Sequence, residues 1–406
     1  MAQRSQPPLR PGHTLRLLQG ASEMVPAMVA AIDAAARLVR LESYIFDFLG
    51  EGLVLAQALE RAAARGVAVN LVIDGFGSLP VPPEWQARFD AAGVQCRIYA
   101  PLGWLGVLSL GSWRRLHRKL CVVDSALAFC GGINVLDDLL DSDHRQLPAP
   151  RFDFSVEVRG PLVADVEATM SRLWLRLEAV RDVRGVEIKR ALHALRASGV
   201  PPAELAPPPR PPEGSARAAL VLRDNLRNRD SIERAYRRAI GHAREEVIIS
   251  NAYFVPGRKM RSALVAAARR GVRVRLLLQG RYESFMQYYA SRPVYGELLR
   301  AGVEIHEYAA SFLHGKVAVV DGAWATVGSS NLDPLSLLLA REANVVVEDQ
   351  AFAALLRERL VRAMETAGRV MSADGYSNRP LRERFMERIA LFLMRLALVV
   401  QGQRYL

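Results

Sequence analysis

Two segments of this chain place the same chemically active residue types at the same spacing. In each, a histidine is followed two residues later by a lysine, seven residues later by an aspartate and seventeen residues later by an asparagine. The first copy consists of His117, Lys119, Asp124 and Asn134, and the second of His314, Lys316, Asp321 and Asn331. Chance does not repeat four residue types in this way, so the spacing indicates an internal duplication.

The residue types in the two copies suit the chemistry of a phosphodiester. Two lysines and two asparagines can hold non-bridging oxygens and stabilise a five-coordinate transition state. We expect the phosphate-binding side chains to be those of Asn134, Asn331 and Ser329. One histidine would attack phosphorus and form a phosphohistidine, and the other would protonate the departing alcohol and deprotonate the incoming one. The spacing alone leaves open which histidine is the nucleophile.

The sequence around each motif predicts how these side chains are positioned. Four apolar or small residues separate lysine from aspartate in both copies, which is typical of a buried strand. Alternation along a strand puts the histidine and the lysine of each copy on one face. If the two halves pack about a pseudo-twofold axis, both pairs converge on a single cleft.

Other repeated features extend the duplication to most of the chain. Each half reads as strand, helix, strand, helix, strand and then the motif strand, with helices predicted at Leu53–Arg65 and Lys259–Arg270. Strands are predicted at Val67–Ile73 and Val272–Leu278. Alternating strands and helices favour an α/β fold of two lobes, each a mixed β-sheet flanked by helices.

Composition divides the chain into four parts. Seven of the twelve residues from Pro201 to Pro212 are proline, which predicts an extended linker. We therefore expect a first lobe at 1–200, a linker at 201–215, a second lobe at 216–370 and a basic amphipathic segment at 371–406.

The paired motifs resemble the HKD motifs of the phospholipase D superfamily. This resemblance implies that a carboxylate about thirty residues after each histidine orients the imidazole. Asp153 and Glu342 stand 36 and 28 residues after His117 and His314. Asp124 and Asp321 belong to the motif and are counted with the catalytic residues, although the resemblance favours a role in local structure. Precedent in the superfamily favours His117 as the nucleophile.

Surrounding phrases resemble those of bacterial cardiolipin synthases, in particular the type without amino-terminal transmembrane helices. The phrases are Leu41–Phe46, Leu116–Leu120, Asn251–Gly257 and Ser329–Ser336, whereas Ala340-Arg341 before Glu342 departs from the expected Leu-Asn pair. The resemblance implies transfer of a phosphatidyl group between phospholipids, with two phosphatidylglycerol molecules giving cardiolipin and glycerol. Phosphatidylethanolamine is an alternative donor. Neither a metal nor another cofactor is required, because lysines and imidazoles supply the charge stabilisation.

Charge and cysteine content agree with an enzyme that acts on anionic lipid. The chain carries a formal net charge of +12 and only three cysteines, Cys96, Cys121 and Cys130, without the spacing of a metal site or disulfide framework. No stretch approaches the roughly 20 apolar residues of a membrane span.

The segment 379–406 holds six arginines and two glutamates, which predicts an interfacial helix. The apolar loop from Gly103 to Trp113 is a second candidate for lipid contact. We expect peripheral association with the cytoplasmic face of the bacterial inner membrane.

Three other functions remain open at this point. A hydrolytic phospholipase D would use the same residues and differ only in water access. A phosphodiesterase or nuclease would act on nucleic acid, but aromatic residues do not alternate with basic ones in a stacking pattern, which argues against a nucleic-acid partner. A non-enzymatic lipid-binding protein is disfavoured because both histidines and both lysines are present. One chain carries both motifs, so a monomer is sufficient for activity.

Overall fold

The computed structural model describes residues 6–101, 115–141, 145–184, 213–224, 228–282, 285–333, 340–377 and 379–400. The chain divides into two compact units. The first-motif unit comprises residues 8–137 and 155–220, and the second-motif unit comprises residues 1–7, 138–154 and 221–406.

The first-motif unit is built on a mixed sheet with helices packed against it. Its strands are β1 (Arg10–Gln19), β2 (Leu38–Ser43), β3 (Ala68–Asp74), β4 (Gln95–Tyr99), β5 (Arg115–Leu116), β6 (Lys119–Val123), β7 (Leu127–Gly131), β8 (Phe154–Arg159) and β9 (Ala216–Arg223). Its helices are α1 (Gly20–Asp33), α2 (Gly50–Ala64), α3 (Pro83–Ala92) and α4 (Leu162–Arg184). The strand order is β9-β1-β8-β7-β6-β2-β3-β4, in which β2, β3 and β4 are parallel and β6, β7 and β8 are antiparallel.

The second-motif unit repeats this arrangement. Its strands are β10 (Glu246–Asn251), β11 (Arg273–Gln279), β12 (Glu304–Tyr308), β13 (Lys316–Val320), β14 (Trp324–Gly328), β15 (Ala340–Glu348) and β16 (Gly368–Met371). Its helices are α5 (Ser231–His242), α6 (Arg258–Arg269), α7 (Phe285–Ser291), α8 (Tyr295–Arg300), α9 (Gln350–Ala367), α10 (Ala373–Ser377) and α11 (Leu381–Val400), with a 3-10 turn at Arg292–Val294. The order β12-β11-β10-β13-β14-β15 matches β4-β3-β2-β6-β7-β8 strand for strand.

The matching topologies confirm the α/β fold with two repeated lobes and mixed sheets. All five residues of β6 and all five of β13 are buried, as their apolar, β-branched sequences predict. Helices α1 and α2 and the strands beside them form one continuous core in the first-motif unit. In the first-motif unit this core packs against Cys121 and Val123 of the motif strand β6.

Two expectations differ from the observed structure, and two lie outside the described residues. The motif strands begin at Lys119 and Lys316, so each histidine lies in the extended segment just before its strand. Residues 138–154, which the sequence placed in the first lobe, belong to the second-motif unit. Residues 201–212 of the linker and the loop from Gly103 to Trp113 lie outside the described residues.

Two further observations bear on membranes and on redox chemistry. Among the helices that the structure describes, none is both long and apolar enough to cross a bilayer. All three cysteines are free, and burial raises the pKa of the Cys121 thiol to about 12, so this thiol stays protonated.

Candidate active site

The second motif is held against the segment that ends at Phe154. The backbone N–H groups of His314 and Gly315 both donate to the carbonyl oxygen of Phe152, each at 2.9 Å. Phe152 in turn donates its N–H to the carbonyl of Phe312 at 2.9 Å. These bonds put Asp153, the next residue, beside the imidazole of His314.

Asp153 and His314 form a hydrogen-bonded pair. The Oδ2 atom of Asp153 lies 2.7 Å from Nδ1 of His314, and the carboxylate side chain is only 3% exposed. The ammonium of Lys316 lies 2.8 Å from the same Nδ1 atom. A ring nitrogen cannot donate and accept at once, and Lys316 also donates to the backbone carbonyl of His314, so we assign the Nδ1 proton to the bond with Asp153. This tautomer leaves the lone pair of Nε2 for proton transfer or for attack on phosphorus.

Lys316 completes this cluster as a buried cation. Its side chain is fully buried, and its Nζ atom lies 3.9 Å from Oδ2 of Asp153. A charge removed from water needs such a partner, because its desolvation is costly. The same low-dielectric surroundings strengthen its attraction for a phosphate oxygen.

The contact of Asp153 corrects one expectation from the sequence. The count of residues paired Asp153 with His117, but the observed bond joins it to His314. The reason is that residues 138–154 pack with the second-motif unit although they precede the second motif by more than 150 positions in the chain. Sequence distance to a histidine therefore did not predict which histidine the carboxylate orients.

Glu342 and Ser329 lie together in the second-motif unit. The hydroxyl of Ser329 donates to the Glu342 carboxylate and accepts the N–H of Ala343 at 3.1 Å. Glu342 is fully buried, and Asn331 is 1% exposed. Ser329 therefore holds Glu342 in place, which is a different role from the phosphate contact expected for this serine.

The first motif shows a similar local geometry. The ammonium of Lys119 donates to the carbonyl of His117 at 2.7 Å, as Lys316 does to His314. The ring of Tyr44 lies 4.8 Å from the imidazole of His117 and 5.2 Å from the Lys119 ammonium, a cation–π contact. Tyr44 therefore shapes the surroundings of both side chains.

Asn134 bonds to the backbone just after β2. Its Oδ1 atom accepts the backbone N–H of Ile45 at 3.2 Å, and its side chain is buried. This bond fixes the amide so that its Nδ2 donors are directed away from Ile45. A donor with a fixed orientation is suited to a phosphate oxygen, and phosphate binding by this asparagine stays a prediction.

A pair of residues that the sequence analysis missed positions both motifs. Asp74, the last residue of β3, accepts the N–H of Leu116 at 2.7 Å, and Gln279, the last residue of β11, accepts the N–H of Leu313 at 3.1 Å. Leu116 and Leu313 immediately precede the two histidines. The sequence did contain a sign of this role. The predicted strands Val67–Ile73 and Val272–Leu278 are each followed directly by a residue whose side chain has an acceptor oxygen.

The middle residue of each motif differs between the units. Arg118 makes two bonds to Glu42, from Nε at 2.5 Å and from Nη2 at 3.0 Å, and both side chains are buried. The corresponding residue of the second motif is Gly315, where an added Cβ would lie 3.3 Å from Oγ of Ser250. The first motif is therefore braced by a buried ion pair, and the second by close packing around a glycine.

The two motif aspartates have structural contacts. Asp124 accepts the N–H groups of Ala36, Arg37 and Leu38, each at 2.8 Å, and Asp321 accepts three N–H groups in the same way at 2.9 Å each. Both have positive φ, 49° and 50°, in the tight turns that follow β6 and β13. Burial acts to raise the pKa of each carboxyl, but the three backbone donors outweigh it and lower the pKa below its usual value.

The positions of these aspartates argue against a catalytic role and agree with the role in local structure that the resemblance favours. A five-residue strand spans about 16 Å, and it separates each aspartate from the lysine of its own motif. Asp124 and Asp321 therefore join the end of a motif strand to the start of a neighbouring strand, far from the histidines. Their role is to fix the register of the sheet.

The comparisons with known proteins agree with this geometry. The family model described as "Cardiolipin synthase, PLD-like domain" matches residues 28–144 and 236–364, which is more than half of the chain and includes both motifs. The chain belongs to the cardiolipin synthase family of PLD-like proteins. Curated members of this family and solved structures are similar to it over most of its length.

Two curated relatives are named as cardiolipin synthases. Cardiolipin synthase B of Escherichia coli (strain K12) is 39% identical over 351 residues, which cover 86% of this chain and 80% of that protein. Cardiolipin synthase A of Pseudomonas putida is 30% identical over 377 residues, covering 93% and 73%. These matches confirm that this member of the cardiolipin synthase family resembles its relatives well beyond the two motifs.

A solved structure supports the fold of this cardiolipin synthase family member. The crystal structure of phosphatidylserine synthase from Haemophilus influenzae Rd KW20 superposes with a TM-score of 0.67 and covers 97% of this chain and 95% of that chain. The identity is 12%, so this likeness concerns the fold alone.

Proposed function

We propose that this protein is a phosphatidyltransferase of the cardiolipin synthase type, acting on phospholipids. The family membership and the 39% identity to cardiolipin synthase B support this function. The structural observation that carries the mechanism is the cluster of Asp153, His314 and Lys316, in which a buried carboxylate orients an imidazole beside a buried ammonium.

The proposed reaction proceeds in two displacements at phosphorus. In the first, His117 attacks the phosphorus of phosphatidylglycerol, a phosphorus–nitrogen bond forms, and the bond from phosphorus to the glycerol headgroup oxygen breaks. His314 enters this step protonated on both ring nitrogens, gives its Nε2 proton to the departing glycerol oxygen and is left as the tautomer with its proton on Nδ1, next to Asp153. In the second, the terminal hydroxyl of another phosphatidylglycerol returns a proton to His314 and attacks phosphorus, which releases His117 and gives cardiolipin.

The contacts around His314 suit it to the acid and base steps. A carboxylate 2.7 Å from Nδ1 holds the proton on that nitrogen and directs Nε2 to the reacting atoms. Lys119 and Lys316 would stabilise the charge on the non-bridging oxygens, with Asn134 and Asn331 as neutral donors. One phosphodiester is exchanged for another, so no nucleotide, metal or other cofactor is needed as a source of driving force.

Substrate location sets where the protein would act. Its phospholipid substrates lie in membranes, and a net charge of +12 favours attraction to the anionic cytoplasmic leaflet. We place it as a peripheral protein on the cytoplasmic face of the bacterial inner membrane. One chain carries both motifs, so a monomer would be sufficient for the reaction.

The decisive experiment identifies the products formed from vesicles of phosphatidylglycerol, without nucleotide and with a chelator present, by mass spectrometry. Cardiolipin together with free glycerol is the expected result. Phosphatidic acid as the sole product would instead assign a hydrolytic phospholipase D. The variants His117→Ala and His314→Ala should each abolish product formation, and full activity in either would contradict the two-histidine mechanism.

A further inference from the structure

The last described helix, α11, presents two chemically different faces. Its inner face packs on α7, where Ala390 and Met394 form a small core with Val255 and Ala290. Glu387, also on this side, is buried and is paired with Arg379 at 2.6 Å. The inner face is therefore fully used in holding the helix to the second-motif unit.

The outer face of α11 exposes large apolar side chains. Leu381, Phe385 and Phe392 are 79%, 60% and 63% exposed. Residues of an α-helix follow each other at about 100° around the axis, which places these three within about 40° of one another and opposite Ala390. Exposed aromatic residues aligned on one face of a helix mark an interaction surface.

Arginines border this apolar stripe. Arg384 and Arg388 are exposed, and the same helical geometry places them along one edge of the stripe. The acidic residues of α11 lie elsewhere, because Glu383 and Glu387 fall on the inner side with Ala390. The outer face thus combines apolar area with positive charge and carries no acidic side chain among the residues whose exposure the structure describes.

We propose that the outer face of α11 lies on the surface of an anionic bilayer. Phe385, Phe392 and Leu381 would enter the boundary between headgroups and acyl chains, and Arg384 and Arg388 would contact lipid phosphates. A second copy of this chain fits less well, because a twofold contact would bring the same arginines of both copies together without acidic partners. This inference rests on the proposed function, since it assigns the surface by which the enzyme reaches its lipid substrates.

The surface also connects the membrane to the second motif. Helix α7, on which α11 is seated, contributes Tyr288 and Ser291 to a small cavity that is lined as well by Gln279. Gln279 is the residue that holds Leu313, next to His314. Binding of α11 to a bilayer would therefore bring the second motif to the lipid surface.

The test measures co-sedimentation with vesicles of phosphatidylglycerol and phosphatidylcholine. We expect Phe385→Ser/Phe392→Ser to weaken binding at least about 100-fold, because each phenyl ring would lose burial in lipid. Arg384→Gln/Arg388→Gln should weaken it about 25-fold, and high salt should weaken wild-type binding as well. Matched controls are Leu355→Ser/Val370→Ser, exposed apolar residues on α9 and β16, and Arg258→Gln/Lys259→Gln on α6, which should all bind like wild type.

The outcomes separate this proposal from the proposed function. Wild-type sedimentation by the Phe385→Ser/Phe392→Ser variant would overturn the lipid surface. Light scattering that shows a wild-type dimer dissociated by this variant, with vesicle binding unchanged, would assign the face to a second copy. Far-ultraviolet circular dichroism checks that the Phe385→Ser/Phe392→Ser variant is folded. If it is not folded, the Arg384→Gln/Arg388→Gln variant is used, and wild-type sedimentation by that variant would overturn the proposal. Wild type that binds through α11 but forms no cardiolipin would contradict the proposed function and leave the surface intact.

Discussion

Asp153 and His314 are 161 positions apart in the chain, yet Oδ2 of the first lies 2.7 Å from Nδ1 of the second. The bond depends on Phe152, whose carbonyl accepts the N–H groups of His314 and Gly315 and so carries Asp153 to the imidazole. A carboxylate from the segment after the first motif therefore serves the histidine of the second motif. Residues 138–154, which carry this carboxylate, belong to the same compact unit as His314.

We expect Asp153→Asn to lower turnover about 10²- to 10⁴-fold, the range of a lost general acid–base contribution. The amide keeps the shape of the carboxylate but removes the charge that stabilises protonated His314. The measurement is kcat and KM for cardiolipin formation from phosphatidylglycerol. KM should stay close to its wild-type value. A raised KM with an unchanged kcat would mean that Asp153 serves substrate binding instead.

Gln279 provides a test of backbone positioning. Gln279→Leu removes the acceptor for the N–H of Leu313, so His314 would shift, and turnover should fall about 10- to 100-fold. Gln279→Glu keeps an oxygen at that position, as Asp74 does for the first motif, and should restore most of the activity. An equal loss of turnover in both variants would show that the hydrogen bond from Leu313 to residue 279 does not position His314.

Asp321 is expected to affect stability and not chemistry. Asp321→Ala removes the acceptor of three backbone N–H groups and should lower the free energy of unfolding by about 1–3 kcal/mol at pH 7. The pKa of Asp321 is lowered in the folded state, so its stabilisation is complete above the unfolded-state pKa and is lost as pH falls through the folded-state pKa.

Denaturant unfolding of wild type and Asp321→Ala at several pH values checks this sign. The difference between the two proteins should be largest near neutral pH and should shrink in acid. Cardiolipin formation per folded molecule should persist in the variant. Its complete loss in a folded protein would restore Asp321 to the catalytic residues.

The buried pair of Arg118 and Glu42 should show strong coupling. Arg118→Met leaves a carboxylate that is 1% exposed without its cation, which should cost about 3–5 kcal/mol of unfolding free energy. The double variant Arg118→Met/Glu42→Leu should recover most of the lost unfolding free energy, because it leaves neither charge of the pair buried without its partner.

A surface pair supplies the control for this double-variant experiment. Arg61 and Asp33 also form an ion pair, at 2.8 Å, but their side chains are 48% and 39% exposed. Arg61→Met should therefore cost less than about 1 kcal/mol, since solvent screens the pair. Thermal or denaturant unfolding of these three variants measures both effects, and similar costs of Arg118→Met and Arg61→Met would contradict the burial argument.

Local patterns in the sequence determined the motifs and the order of the secondary-structure elements. The two motifs, the buried strands after each lysine and the repeated order of strands and helices follow from spacing and from alternation of apolar residues, which depend on near neighbours in the chain. The basic helix at the carboxyl terminus was predicted in the same way. The sequence did not show which of its faces is exposed, because that depends on where α7 packs.

Only the tertiary structure decided which side chains meet. Asp153 bonds to His314, although His117 is nearer in sequence. Ser329 holds Glu342, and Asp74 and Gln279 each hold the residue before a histidine. Asp124 and Asp321 sit in the motifs but bind backbone amides at the far ends of the strands. These contacts join residues that are distant in the chain, and their partners are set by the packing of whole strands and segments, which no local pattern encodes.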